Sequence, residues 1–187
     1  MKKKSCPGLV LVFLVLGFFP AAGLDLSIHL SPLVVWPIGP AESEGDEDSL
    51  FAASVGGELS LGFTPDESWE VRAGLGLLPL ILNVDDQGSD GLLASAKAGL
   101  GLRLPFAGQS TVVLGGAIGV YQLEYKGTHY STAFCFDLEA RVHKDVAPWL
   151  SLFCGMGYSS YLVEFSNEAL FNAVHLKAGL SILLYQP

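Results

Sequence analysis

The chain has 187 residues, half of them hydrophobic, and a formal net charge of −9. This acidic balance excludes nucleic-acid binding through a basic surface, because the phosphate backbone is recognised by clusters of lysine and arginine. Beyond residue 23, no uninterrupted apolar stretch is as long as the ~18 residues that a membrane-spanning helix needs.

The first 23 residues have the layout of a secretory signal peptide. Residues 1–4 carry three lysines, and residues 9–19 form an apolar run. Small residues occupy the −3 and −1 positions of a cleavage site after Gly23. The apolar run is too short to cross a bilayer comfortably, which disfavours the alternative of an uncleaved anchor. We therefore predict an exported chain whose mature domain spans residues 24–187.

Eight segments of the mature domain alternate apolar and polar residues with a period of two, which predicts β-strands whose two faces meet different surroundings. In chain order they span residues 24–36, 50–63, 69–82, 92–104, 111–125, 130–143, 149–165 and 173–185. The last segment shows the pattern most clearly. Its even positions from Val174 to Leu184 are apolar, whereas the odd positions from His175 to Ser181 are charged or small. Each segment exceeds the ~9–11 residues with which a tilted strand crosses a bilayer.

The polar faces indicate which side of the sheet meets lipid. A soluble ligand-binding barrel, the alternative, would need large apolar residues on its inner face. Here that face carries mainly glycine, serine and charged residues. An exported, apolar chain without a spanning helix crosses a membrane only as a closed barrel. We therefore predict an all-β fold, an eight-stranded antiparallel up-and-down transmembrane β-barrel preceded by a cleavable signal peptide.

Strand five is the least decisive of the eight. Valine, leucine, isoleucine and glycine occupy both its odd and its even positions. Gln122 and Glu124 indicate that the even positions face inward, since polar residues are expected in the lumen.

The connections between the strands alternate in kind. The longest, residues 37–49, follows strand one and contains five acidic residues that belong in water. Compact turns with proline or glycine follow strands two, four and six. Short periplasmic turns opposite longer outer loops are typical of membrane barrels, so we predict surface-exposed acidic loops. Aromatic residues gather near the strand ends, as in the two interfacial girdles of membrane proteins.

The predicted inner face carries charges of both signs. The lumen-lining residues are Glu58, Glu70, Arg72, Lys97, Arg103, Asp137, Glu139, Arg141, His143, His175 and Lys177. The interior of an eight-stranded barrel is only just wide enough for its own side chains, and buried charges are stable only when paired. We therefore predict a ladder of ion pairs that fills the lumen, with a charged, gated ion path as the alternative.

Toward the loops, the inner face becomes apolar. The residues concerned are Leu33, Val35, Leu78, Leu80 and Leu82. An apolar vestibule of this kind would admit a small hydrophobic molecule. The preferred explanation is a bulge or register shift at Pro32 and Pro79, since proline interrupts strand pairing.

The end of the chain resembles the terminal signal of bacterial outer-membrane barrels. In that signal a polar residue is followed by glycine two positions later and by hydrophobic residues three and five positions further on. Lys177, Gly179, Ile182 and Leu184 fill these positions, and the usual final aromatic is shifted to Tyr185. The whole mature chain resembles small barrels of the OmpA and OmpW type. This resemblance implies the outer membrane of a Gram-negative-type envelope, a structural or porin-like permeability role, and a monomer. Its implied partners are outer-membrane lipid and the barrel-assembly machinery.

One short motif suggests chemistry. His129-Tyr130-Ser131 with Glu139 resembles the lipid A deacylases of the outer membrane, which implies histidine as base, serine as nucleophile and glutamate as the group that orients the imidazole. However, Thr132 stands where that family has asparagine, and Glu139 lies about eight residues along the strand, ~26 Å away. We therefore expect no enzymatic activity and interpret His129 as an exposed loop residue, with the deacylase as the alternative.

The sequence predicts neither a metal site nor a cofactor, because no histidine or cysteine cluster has the spacing of metal ligands. Cys135 and Cys154 lie on neighbouring strands but at positions that face opposite sides of the sheet. Side chains on opposite faces cannot form a disulfide without a bulge, so we predict two free thiols.

Overall fold

The computed structural model of the chain describes residues 25–38, 53–82, 89–106, 108–125, 128–129, 133–162 and 169–185. Eight long strands make up the fold: β1 (Asp25–Ile38), β2 (Ser54–Asp66), β3 (Trp69–Leu82), β4 (Ser89–Phe106), β5 (Ser110–Tyr125), β6 (Ala133–Ala147), β7 (Leu150–Leu162) and β8 (Ala169–Tyr185). A two-residue segment, Thr128–His129, pairs with the end of β5. The predicted signal peptide and acidic loop lie outside the described residues.

The strands close into an antiparallel barrel. Each strand pairs with the next one along the chain, and β8 pairs with β1, where Leu30 stands opposite Leu180. Closure satisfies the backbone of both terminal strands and leaves no sheet edge. No helix long and apolar enough to span a membrane occurs among the described residues.

The barrel has an apolar outer face and a charged inner face. In β6 the exposed Phe136 and Leu138 alternate with the buried Asp137, Glu139 and Arg141. The same inversion holds elsewhere: Leu100 is 60% exposed and Leu176 is 42% exposed, whereas Lys177 is only 5% exposed. Since a soluble protein buries leucine and exposes lysine, this pattern is the reverse of a water-soluble core.

The barrel has two unlike ends. We call the turn end the one with the hairpin turns at Glu67–Ser68, Gly108–Gln109 and Pro148–Trp149, where β1 begins and β8 ends. The opposite end, with Ile38, Leu82, Tyr125 and Leu162, is the loop end. Trp69, Phe106 and Trp149 are exposed near the turn end and Trp36 is exposed toward the loop end, in agreement with two aromatic girdles.

The predicted orientation of strand five is wrong. In β5 the odd positions face inward, with Val113 and Tyr121 buried, whereas Ile118 is 73% exposed and Gln122 is also exposed. The prediction failed because it assumed a polar lumen along the full length of the strand. At the loop end the lumen is apolar, so the polar Gln122 lies on the outer side.

The predicted irregularity at the two strand prolines is also wrong. Pairing of β1 with β2 continues in one register through Pro32, and pairing of β3 with β4 continues through Pro79. The register shifts lie near the strand ends instead, for example between Leu26 and Ser27. Of the apolar residues near the loops, Leu33, Val35 and Leu78 therefore face the lumen. The side chains of Leu80 and Leu82 lie outside the described residues.

Strand bounds agree with the sequence pattern to within a few residues, and β3 has the predicted ones. The largest differences are four residues, at the start of β2, the start of β8 and the end of β6, which runs on from His143 to Ala147. These residues continue the pairing with β7 down to a tight turn at Pro148, so the polar run Lys144-Asp145 is strand and not turn.

One inward glycine shows how tightly the lumen is filled. A Cβ at Gly179 would overlap the backbone carbonyl of Leu30 and approach the Phe153 ring to 2.8 Å. Glycine is therefore the residue that lets β1 and β8 meet at this point, since it has no Cβ.

Candidate functional site

The middle of the lumen is crossed by buried ion pairs. Eight residues form this ion-pair ladder, four acidic and four basic: Glu58, Glu70, Asp137, Glu139, Arg72, Lys97, Arg141 and Lys177. Lys97 Nζ lies 2.6 Å from Asp137 Oδ2, and Arg141 Nη2 lies 2.7 Å from Glu70 Oε1. Because the alternation of each strand points these side chains inward, residues far apart in sequence meet across the barrel.

Glu139 is the centre of the ladder. Its carboxylate contacts Arg72, lies 3.0 Å from Arg141 Nε and lies 2.5 Å from Lys177 Nζ. Lys177 reaches on to Glu58 at 3.6 Å. These contacts tie β2, β3, β6 and β8 together through the lumen. Charges buried this deeply are stable only as partners, so loss of one member leaves another uncompensated.

The loop end of the lumen is closed by an apolar layer. Its members are Val35, Leu78, Leu93, Tyr121, Ala133, Cys135, Tyr161 and Ala173, all buried. The Tyr121 and Tyr161 rings meet edge to face at 5.3 Å, and the Tyr121 hydroxyl donates a hydrogen bond to the Leu162 carbonyl at 2.5 Å. The Lys97 ammonium lies 5.4 Å from the centre of the Tyr161 ring, so the layer rests directly on the ladder.

Little free space separates the layer from the ladder. The cavity between them measures about 20 Å³ and is lined by Leu78, Leu93, Lys97, Asp137 and Tyr161, among others. That is room for about one water molecule. Val35 and Leu78 of the predicted vestibule thus belong to a packed layer, and the gap beneath that layer is too small for a small hydrophobic molecule.

The turn end of the lumen is a polar basin of about 400 Å³. This turn-end basin is lined by Asp25, His29, Arg103, Thr111, His143 and Asp145, together with further serine and threonine hydroxyls. Its floor is formed by the His29 and His143 rings, which pack against Phe153. The His143 ring stacks on Phe153 at 5.2 Å, and the His29 ring meets both edge-on. The basin stops at the ladder, where Arg141 binds Glu70.

The structure places the eleven predicted lumen residues on the inner face, in three groups. Eight of them form the ladder. Arg103 and His143 lie in the turn-end basin, and Arg103 Nη1 donates to Thr64 Oγ1 at 2.9 Å. His175 lies beside the ladder, where its Nδ1 is 3.0 Å from Ser159 Oγ.

Sequence reasoning missed several residues that shape the lumen. His29 and Phe153 belong to the ring cluster at the inner end of the basin, and Tyr121 and Tyr161 are the aromatic members of the apolar layer. The sequence did contain a signal for His29, Phe153 and Tyr161. Each has an odd number, like the polar inward-facing residues of its own strand. Tyr121 had no such signal, since β5 is apolar at both parities.

The predicted catalytic alternative is not assembled in the described residues. Ser131 and the His129 side chain lie outside them, while the His129 backbone pairs with Glu124 at the loop end. Glu139 pairs with Gly115 on β5. Gly115 and Glu124, the residue opposite His129, are about 30 Å apart along β5 at normal strand rise. The Glu139 carboxylate is also held by three cations in the middle of the lumen.

The two cysteines lie on opposite faces, as predicted. Cys135 belongs to the apolar layer inside, whereas Cys154 is exposed on the outer face. Both thiols are free.

Comparison with solved structures identifies the fold. The chain is similar to Neisserial surface protein A, with 14% identity and a TM-score of 0.66 over 86% of this chain and 99% of that one. The fold is that of a small outer-membrane β-barrel. A second similar structure is a major outer membrane protein from Thermus thermophilus, with 12% identity and a TM-score of 0.53 over 87% of this chain and 100% of that one. No family model and no curated protein matches the chain.

Proposed function

We propose that this protein spans a bacterial outer membrane as a closed-lumen barrel, with a structural role and at most a narrow permeability. The observation that carries the proposal is the inverted wall, in which leucines such as Leu100 and Leu176 are exposed while Lys177 and Arg141 are buried. Exposure of these leucines to water would be unfavourable, whereas contact with the hydrocarbon of a membrane stabilises them. The similarity in fold to outer-membrane barrels supports the same location.

The closed lumen is the reason to prefer a structural role over an open pore. A permeating ion would have to pass both the ion-pair ladder and the apolar layer. Between these two the free space is about 20 Å³, and on the turn side the basin ends at Arg141 and Glu70. Small barrels whose interiors are filled by their own side chains leave no aqueous channel.

The proposed partners follow from the wall and the last strand. The exposed apolar side chains are matched to outer-membrane lipid, and the barrel is closed without a second copy. In the proposed assembly signal, Ile182 and Leu184 have the outward parity of β8, while Lys177 and Gly179 have the inward one. We propose that the barrel-assembly machinery recognises this strand and that the protein is a monomer.

Membrane residence is tested by expressing the full chain in a Gram-negative host. We expect the mature protein in the outer-membrane fraction, soluble only with detergent and running faster on an unboiled gel than on a boiled one. Recovery from the periplasm in the absence of detergent would reject the proposal. N-terminal sequencing of the same sample tests cleavage after Gly23.

The closed lumen is tested by single-channel recording in planar bilayers. We expect no large, steady openings from the refolded wild type. Steady openings would reject the closed lumen and leave the membrane location standing. In the same preparation, a lipid A deacylation assay of the wild type and Ser131→Ala tests the enzymatic alternative, and we expect no Ser131-dependent activity.

A further inference from the structure

Arg103 differs from every other inward-facing cation in the described strands. Arg72, Lys97, Arg141 and Lys177 each lie within ion-pair distance of a carboxylate. Arg103 donates to the Thr64 hydroxyl, and no described carboxylate pairs with it. Its Nε is buried without a hydrogen-bond partner. A guanidinium inside a barrel without an anionic partner is a natural counter-ion for an anionic ligand.

The space beside Arg103 is large enough for such a ligand. The turn-end basin, at about 400 Å³, is far roomier than the water-sized gap under the apolar layer. Around it stand groups that bind oxygen atoms well: the Thr111 and Ser181 hydroxyls and the His143 imidazole. The basin faces the turn end, so a solute on that side reaches Arg103 without crossing the ladder.

The carboxylates around the basin limit the charge of the ligand. Glu70 is neutralised by Arg141 at 2.7 Å. Asp145 accepts a hydrogen bond from Ser151 at 2.6 Å and is exposed, and Asp25 lies near the start of β1. Two aspartates beside one arginine repel a doubly charged anion more strongly than a singly charged one. Among anions, the lining therefore favours a small ligand with a single negative charge, whose attraction to the basin comes from Arg103.

We propose that the turn-end basin binds a small carboxylate, with Arg103 as its counter-ion and the hydroxyls and imidazoles of the basin as further hydrogen-bond partners. A guanidinium binds a carboxylate or a phosphate through two parallel hydrogen bonds, and of the two only the carboxylate keeps a single negative charge at neutral pH. The assignment is independent of whether the lumen conducts, because the ligand enters and leaves at the same end.

The experiment uses the refolded mature chain in detergent micelles, titrated with acetate by isothermal titration calorimetry at fixed pH and low ionic strength. Three variants are compared with the wild type. Arg103→Gln removes the counter-ion, and Asp25→Asn removes a like charge. Lys144→Gln is the matched control, since Lys144 is an exposed cation at the same end but has the outward parity of β6. Faster migration on an unboiled gel shows that each variant is folded.

We expect saturable acetate binding that weakens about tenfold or more in Arg103→Gln, as loss of a charged hydrogen bond implies. Asp25→Asn is expected to bind more tightly, and Lys144→Gln is expected to bind as the wild type does. Equal binding by folded Arg103→Gln would overturn the proposal, as would an equal loss in Lys144→Gln. Parallel titrations with phosphate and methylammonium test the charge and shape of the ligand, and tighter binding of either would overturn the carboxylate assignment.

Discussion

The two ends of the lumen are lined by opposite chemistry, although the same eight strands build both. At the loop end, Tyr121, Tyr161 and Leu93 exclude water by packing. At the turn end, polar side chains such as Arg103 and Thr111 surround a basin of about 400 Å³. Between them the ion-pair ladder is buried but charged. The contrast teaches that alternation along a strand sets which way a side chain points, whereas position along the barrel axis sets its chemistry.

The largest expected effect is a loss of stability when the ladder is broken, and it is compared with the same change in the basin. Arg141→Met keeps the side-chain bulk but leaves Glu70 without its partner and Glu139 with one cation fewer. We expect the free energy of unfolding to fall by about 3–5 kcal/mol, as for other broken buried pairs. Urea titration of the folded barrel, read from unboiled gels, measures it.

The matched substitution in the turn-end basin is Arg103→Met. Because Arg103 is only partly buried and has no described carboxylate partner, we expect a loss below about 1 kcal/mol. Equal losses in the two variants would contradict the distinction between a buried ladder and a hydrated basin.

A second substitution tests whether the loop end is a packed core. Leu93 is 1% exposed, so Leu93→Ala removes well-packed methyl groups and should cost about 2–5 kcal/mol of unfolding free energy. Thr111→Ala in the basin is the control and should stay within about 0.5 kcal/mol. A small effect at Leu93 would mean that the apolar layer is loosely packed.

Water access to the two ends can be compared by thiol labelling. With Cys154→Ser in both samples, we compare the native Cys135 with Cys135→Ser/Ser181→Cys. Cys135 is 2% exposed in the apolar layer, whereas Ser181 lines the basin. We expect a charged maleimide to label the basin thiol roughly 100-fold faster, since labelling of Cys135 requires local opening. Similar rates would show that the layer is wet.

The smallest expected effect concerns conductance. Tyr161→Ala removes half of the tyrosine pair and the ring under the Lys97 ammonium. We expect rare, brief openings above the wild-type background in planar bilayers, because the ladder still blocks most of the lumen. Thr111→Ala should remain silent, and openings in that variant would place the barrier at the turn end.

Much of the fold could be predicted from the sequence, because strict alternation survives wherever lipid and lumen differ. In β6 and β8 the contrast between Phe or Leu outside and Glu, Arg or Lys inside fixes the orientation of every central residue. The same logic failed in β5, where the apolar layer removes the contrast and Gln122 points outward. Alternation therefore predicts the orientation of side chains only where the two faces of a strand meet different surroundings, and it gives no information where both faces are apolar.

The pairing within the lumen was only partly predictable. Alternation predicts that Glu139, Arg72 and Lys177 face inward, but which charges meet depends on the stagger of strands that are far apart in sequence. That stagger is a property of barrel closure and is not encoded in any single strand. For the same reason, the sequence did not show that Arg103 lies beyond ion-pair distance of the four carboxylates in the ladder.

The seam between β1 and β8 has a consequence for how the protein is made. The pairing of Leu30 with Leu180 joins positions separated by nearly the whole mature domain, so we expect this contact to form late in folding. A chain that ends before β8 would expose two unpaired edge strands to hydrocarbon, where their backbone groups would have no hydrogen-bond partners. We therefore expect the barrel to insert only once β8 is present, and incomplete chains to be found bound to chaperones or degraded by proteases.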